Sequence, residues 1–256
     1  MPALVTPLPP LVDEGPQLSP AQRARHQRTI DVQEIGMSGQ RRLAGARVAV
    51  VGAGGLGGPV LSYLAGAGVG RLTVLDDDVV EERNLQRQLL YATSSIGESK
   101  AEAAAARLRD LNPGVEVSSV RERVTEDSAA ELLSGHDLIV DAVDNLPTRY
   151  ALSDAAASLD LPVVWGAVQA TRGQVSVFWA RYRLTLRSVF PEPPATMPSV
   201  DDVGVLGPMT GVVGSLMACE CVKLITGVGQ SLLGRLLYVD TLGARFAEIE
   251  LGGQHA

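Results

Sequence analysis

Cysteine is nearly missing from this chain. It holds two, Cys219 and Cys221, in 256 residues. Two positions apart on a helix they point to different faces and cannot bridge. No disulfide framework is expected, which suits a reducing cytoplasm. Histidine is almost as scarce. His26, His136 and His255 form no evident triad, and no nucleophile elbow occurs, so covalent nucleophilic catalysis is not indicated. His136 stands just before a strand and reads as a plain turn residue. No apolar run is read as long enough to span a membrane. The opening segment MPALVTPLPPLVDEGPQLSP lacks a basic region followed by an apolar core, so it is not expected to act as a signal peptide. Basic charge is in deficit: the net charge is −7 and the pI near 5.0. Such a surface argues against nonspecific binding to nucleic acid or anionic membrane. Internal repeats are absent too.

What is present is ordinary soluble composition, 46% hydrophobic and 20% charged. The length is ample for a buried core. Residues 1–20 are proline-rich and expected to form a flexible arm. Residues 21–256 are expected to form one nucleotide-binding domain. Ser19-Pro20 can cap and open a first helix, AQRARHQRTID. Strands and helices then alternate. RVAVVGAG, RLTVLDDD, VEVSSV, DLIVDAVD and PVVWGAVQ read as strands, with helices between them. That alternation predicts an α/β, Rossmann-like, doubly wound and mostly parallel sheet. GQVSVFW is a further strand, 181–208 a long loop, and PMTGVVGSLMACECVKLITG an apolar helix. RLLYVDTL and ARFAEIEL close the chain as a hairpin around Gly243, extending the sheet with C-terminal antiparallel strands.

Gly52, Gly54 and Gly57 fit G-x-G-x-x-G between a strand and a helix, with Asp76 at the end of the next strand. The glycines let phosphate approach backbone N–H groups at a helix N-terminus, and the carboxylate can hold ribose hydroxyls. This predicts a nucleotide without saying which.

Later motifs narrow it. Asn84, Arg87 and Gln88 crowd the loop after the second strand, and Lys100 opens the following helix. A cation at a helix N-terminus opposes the helix dipole, a placement that makes sense where phosphate is near; otherwise Lys100 is a solvated surface lysine. Asp144 closes a strand at the carboxyl edge of the sheet, where ligands of open α/β sheets bind. It can hold magnesium through a hard carboxylate oxygen. Alternatively Asp144 or Asn145 caps the helix LPTRYALSDAA. Two cations, a carboxylate and an amide beside the glycine loop have no task in hydride transfer. Phosphoryl or nucleotidyl transfer needs such groups to stabilise charge and hold a metal.

The ordered set GAGGLGG, LDDDVVEERNLQRQ, GESK, DAVDNLPTR, GAVQATRGQVSVF and GPMTGVVGSLMACECVKLITG resembles the ThiF/MoeB family, the bacterial branch of the ubiquitin-activating-enzyme superfamily. The likeness covers about residues 22–251. It implies an enzyme that uses ATP and magnesium to adenylate the C-terminal carboxylate of a small ubiquitin-like sulfur carrier ending in Gly-Gly. Molybdopterin, thiamine and other thiolation routes are all compatible. It implies that Gly52, Gly54, Gly55 and Gly57 form the nucleotide loop and that Asp76 holds the ribose. Asn84, Arg87, Gln88, Lys100 and Asn145 surround the nucleotide, and Asp144 binds magnesium. Arg28, in ARHQRTI, matches the arginine that reaches into the partner subunit's site, which implies a homodimer.

The chain departs from its relatives in two places. Many carry two C-x-x-C pairs that bind zinc; none exists here, so no zinc is expected. Relatives that form a thioester or persulfide have a cysteine in the crossover loop, where this chain has Ser199 and Val200. Cys219 and Cys221 fall on the apolar helix and read as small core residues. The chain is therefore expected to stop at the acyl-adenylate or to pass it to a separate sulfur donor. Ser153 stands where many relatives have asparagine, a minor difference. The rival expectations are a relative acting on another acyl group or a tRNA base, an NAD- or FAD-dependent oxidoreductase, and a silent scaffold.

Overall fold

The structure, a computed structural model, describes residues 7–193 and 203–251. One eight-stranded sheet organises it, in the order β3-β2-β1-β4-β5-β6-β7-β8. The strands are β1 (Arg47–Val51), β2 (Arg71–Leu75), β3 (Glu116–Val120), β4 (Leu138–Asp141), β5 (Val163–Gln169), β6 (Arg172–Phe178), β7 (Arg235–Asp240) and β8 (Arg245–Glu250). The first five run parallel. From β5 onward every pairing is antiparallel. This is the doubly wound sheet with an antiparallel extension that the alternating pattern predicts.

Both faces of the parallel part are covered, as such strands require, whereas β8 is exposed along its length. In β1, Val48 and Val50 point into one core and Ala49 and Val51 into the other. The first core lies under α3 (Gly57–Ala67), α4 (Lys100–Leu111) and α8 (Gly207–Thr226). The second lies under α5 (Ala129–Leu133), α6 (Leu146–Ser158) and the short α7 (Leu186–Val189). Chain order reverses between β1 and β4, and the crevice beyond their carboxyl ends is where such sheets take ligands.

Several expectations change. Helix α8 has the length and apolarity of a membrane span, contrary to the expectation that no run does; 61% of that stretch is buried in the protein. Its Met209, Val213, Met217 and Cys221 pack into the first core. Cys221 is the core residue expected, whereas Cys219 is exposed. The expected loop at 181–208 contains a 3-10 turn (Ala180–Tyr182) and α7, capped by the Thr185 side chain. Ser199 and Val200 lie outside the described residues, as does His255.

The first helix forms as read, α1 (Pro20–Ile30), with a capping box between Ser19 and Gln22. A second, α2 (Gly36–Gly45), follows it and was not anticipated. The segment expected to be a flexible arm is laid down from about residue 8. Leu8, Leu11 and Val12 pack against the core and Leu18 is buried. The Leu11 amide donates to the Leu224 carbonyl at 3.0 Å, and the Arg41 guanidinium donates to the Gly15 carbonyl at 2.6 and 2.9 Å. Residues 1–6 lie outside the described part.

Candidate active site

A cavity of about 1050 Å3 opens at the carboxyl ends of β1, β2 and β4 and runs along the β5–β6 hairpin. Nine of the twelve residues singled out from the sequence line it: Gly52, Gly54, Gly55, Asp76, Arg87, Gln88, Lys100, Asp144 and Asn145. The other three, Gly57, Asn84 and Arg28, do not.

The glycine loop is built by steric necessity. Gly52 sits at φ 91°, and a Cβ there would lie 2.7 Å from the Ala142 carbonyl oxygen. Gly57 lies so close under Gly52 that its Cβ would collide with the Gly52 carbonyl. It lets the helix start against the strand and touches no cavity. Gly54 differs: its Cβ would meet only the Gln88 side chain, at 3.5 Å. Among the described residues nothing accepts a hydrogen bond from the N–H groups of Gly54 and Gly55. Free donors at the start of α3, aligned with its dipole, form a ready site for an anion.

Asp76 is held by both oxygens. Oδ2 accepts from the Ala53 amide at 2.7 Å and Oδ1 from the Asp78 amide at 2.9 Å. Burial pushes its carboxyl up from the ordinary value, and those two amides and Lys100 pull it back. Lys100 is not a solvated lysine. Its side chain is 7% exposed, and Nζ lies 2.8 Å from Asp78 Oδ2. Desolvating an ammonium at a helix N-terminus is costly unless anions face it.

Asn84 is buried and Oδ1 accepts from the Glu81 amide at 3.2 Å. It shapes the loop that carries Arg87 and Gln88 instead of entering the cavity. Arg87 Nη1 donates to the Arg83 carbonyl at 3.2 Å. Gln88 is buried beneath Gly54.

The D-N-x-x-T-R stretch resolves into three tasks. Asn145 is the helix cap, its Oδ1 accepting from the Thr148 amide at 3.0 Å. That leaves the Asp144 carboxylate exposed at the cavity, with no hydrogen bond or ion pair among the described residues. Arg149 is a strut. Its guanidinium donates to the Val143 carbonyl at 2.5 Å and the Gly166 carbonyl at 3.0 Å, and lies 5.0 Å from the Trp165 ring centre. It ties the end of β4 to β5 and so fixes the loop bearing Asp144.

The sequence reading missed the far wall. Arg172, Gln174 and Tyr238 line the cavity from β6 and β7, and Trp165 and Phe190, their ring centres 6.3 Å apart, line it as well. Alternation along β6 was the available signal: Gly173 and Val175 face α8, which leaves Arg172 and Gln174 on the cavity face. Thr210, on α8, packs over Gly55. Arg28 lies apart on α1, its side chain 98% exposed and 3.8 Å from Asp31.

Residues 26–256 match the ThiF family model. The chain is 47% identical over 235 residues to the sulfur carrier protein adenylyltransferase of Thermus thermophilus, covering 88% of this chain and 86% of that one. It is 43% identical over 252 residues to the probable adenylyltransferase/sulfurtransferase MoeZ of Mycobacterium tuberculosis, covering 96% of this chain. The chain spans 64% of the length of that relative. Among solved structures, that of Escherichia coli MccB with MccA-N7isoASN superposes with a TM-score of 0.79, at 18% identity, over 90% of this chain and 72% of that one.

Proposed function

The chain belongs to the ThiF family, and from that premise we propose that it is an ATP-dependent adenylyltransferase. Its acyl substrate is the C-terminal glycine carboxylate of a small ubiquitin-like sulfur carrier. The observation that carries this reading is the meeting of unpaired glycine-loop amides with the unpaired Asp144 carboxylate across the β1/β4 crevice. The names of the relatives, sulfur carrier protein adenylyltransferase and SAMP-activating enzyme E1 among them, support the substrate class.

A C-terminal carboxylate has an ordinary pKa near 3.5, so at neutral pH it is already an anion. It needs no general base. One carboxylate oxygen attacks the α-phosphorus of ATP. The bond from that phosphorus to the bridging oxygen breaks, and the electron pair leaves with pyrophosphate. The protein has two tasks, alignment and charge neutralisation. The amides of Gly54 and Gly55 hold phosphate oxygens, and Arg87 and Lys100 face the developing charge. Asp76, fixed by its two amide donors, holds the ribose. The residues fit a magnesium ion: Asp144 offers a hard, unpaired carboxylate oxygen, and the metal would draw charge from the leaving phosphates.

Arg28 acts in this reading on a second copy's site. The partly exposed Val212, Ser215 and Leu216 and the exposed Cys219 on α8, together with the exposed Tyr63 of α3, support a homodimer. With no C-x-x-C pair in the chain, zinc has no thiolate set here. The acyl-adenylate is released or passed to a separate sulfur donor. ATP–pyrophosphate exchange with purified protein, magnesium and Gly-Gly-ended carriers tests the reading. Exchange dependent on one carrier supports it; no exchange with any carrier, together with tight NAD binding, would overturn it in favour of an oxidoreductase.

A further inference from the structure

Most arginines of this chain are spoken for. Among the described residues, the guanidinium groups without a hydrogen bond or ion pair are those of Arg121, Arg172, Arg183 and Arg245, and only Arg172 of these lines the cavity. In a protein of net charge −7, an unpaired cation facing a cavity asks for an anion from outside. The nucleotide's phosphates are poorly placed to supply it. The Gly54 and Gly55 amides, which hold the phosphates in this reading, follow β1, whereas Arg172 opens β6, three strands along the sheet. Three interstrand spacings are roughly 14 Å.

Asp144 is nearer. It lies three residues beyond Asp141, the residue of β4 that pairs with Trp165 of β5. Arg172 pairs with Gln169, four residues beyond Trp165 on β5. The two are therefore at similar height, with β4 and β6 two strands apart. Two interstrand spacings are roughly 10 Å, which an extended peptide covers in about three residues. Gln169 and Ala167 of β5, which oppose Arg172 and Gln174 across the hairpin, line the cavity between β4 and β6.

We infer that Arg172 is a specificity-determining residue for the acyl substrate: it holds an acidic side chain carried about three residues before the reacting carboxylate. This rests on the adenylation reading and deepens it, by assigning the substrate a Glu or Asp just ahead of its Gly-Gly end. Asp240 lies opposite Arg172 on β7, yet the two form no ion pair, and Asp240 Oδ1 accepts from the Gly243 amide at 3.1 Å.

The test uses one ubiquitin-like carrier made in three forms, with Glu, Gln or Lys immediately before the Gly-Gly pair. Fluorescence anisotropy reads binding to the native protein, and ATP–pyrophosphate exchange reads kcat/KM. A charged contact at an exposed rim predicts about a three- to fivefold preference for Glu over Gln. In Arg172→Ala that preference falls to near one, and in Arg172→Glu the Lys form is preferred. KM for ATP is followed in parallel. A native protein that binds the three carriers equally overturns the inference. So does an Arg172→Ala variant that weakens all three alike, or one that raises KM for ATP instead. If the binding preference and its inversion hold but no carrier supports exchange, the assignment of Arg172 stands and the adenylation reading fails.

Discussion

Arg149 and Asp141 form a buried pair beneath the loop that presents Asp144, with guanidinium nitrogen and carboxylate oxygen 3.5 Å apart and side chains 9% and 2% exposed. Burial pushes the Asp141 carboxyl up to about 6, against the pull of Arg149 and the Val143 amide. Desolvation outweighs attraction here because the contact is long and one oxygen meets a single amide, at 3.2 Å.

A pH slope follows. The folded value, about 6, is above the ordinary value of 3.8. Below 3.8 the group is protonated in both states and contributes nothing. Between 3.8 and 6 the folded state keeps a proton that the unfolded state has lost, so stability declines as pH rises through that window. Removing the titration in Asp141→Asn should flatten the decline, by on the order of 2–3 kcal/mol between pH 4 and 7. Urea denaturation of both proteins across that range measures it. A constant difference between them would mean that Asp141 titrates normally.

Two glycines of one motif should fail differently. In Gly57→Ala the new methyl meets the Gly52 carbonyl, backbone that cannot yield, so stability falls by about 2–4 kcal/mol. In Gly54→Ala the methyl meets only Gln88 at ordinary contact distance. That variant should keep its melting temperature within a few degrees while KM for ATP rises at least about tenfold, because the methyl fills space in front of the free amides. Thermal melts with and without ATP separate the cases. An unchanged KM in Gly54→Ala would remove the phosphate from this loop.

These differences mark what the sequence could carry. The strands around the crevice were readable, because RVAVVGAG and DLIVDAVD are short apolar runs stopped by residues that cannot continue them. Helix α2 was not, since Gly36, Gly39 and Gly45 give it little intrinsic propensity and its Leu43 is held by tertiary packing. The strap at residues 8–18 reads as a free proline-rich tail, because only contacts with residues such as Leu224 reveal where it lies. Arg149 shows the limit most plainly. Its neighbours in the motif suggested a ligand, yet its partners are the carbonyls of Val143 and Gly166, one of them on the next strand.

His136 supplies an opposite slope. It is no plain turn residue: Nδ1 lies 3.0 Å from the Leu133 carbonyl and Nε2 2.8 Å from Thr73 Oγ1, which also accepts from Ser118 at 3.2 Å. When Nδ1 donates to the Leu133 carbonyl, a neutral ring can accept the Thr73 hydroxyl at Nε2. Burial pushes its pKa below the ordinary 6.5. Its contribution is therefore complete above about 6.5 and lost as pH falls below that value. His136→Gln should abolish that acid-side loss. NMR titration of the ring should show a midpoint below 6.5; one above it would mean the ring charges in place.

Arg28, proposed to act on a second copy's site, allows a test of whether one chain makes a complete site. Its guanidinium is almost fully exposed and only 3.8 Å from Asp31, a contact worth little at the surface. Arg28→Ala should leave the melting temperature unchanged and still abolish most exchange activity. Asp144→Ala should abolish magnesium-dependent exchange. Mixing the two inactive variants discriminates between geometries. If Arg28 serves the partner's site, a mixed dimer has one site with an intact Asp144 and an intact Arg28 from the other subunit. Random pairing makes half the dimers mixed, so up to about a quarter of native activity should return. If Arg28 serves its own chain, every site in every dimer lacks one group, and mixing restores nothing.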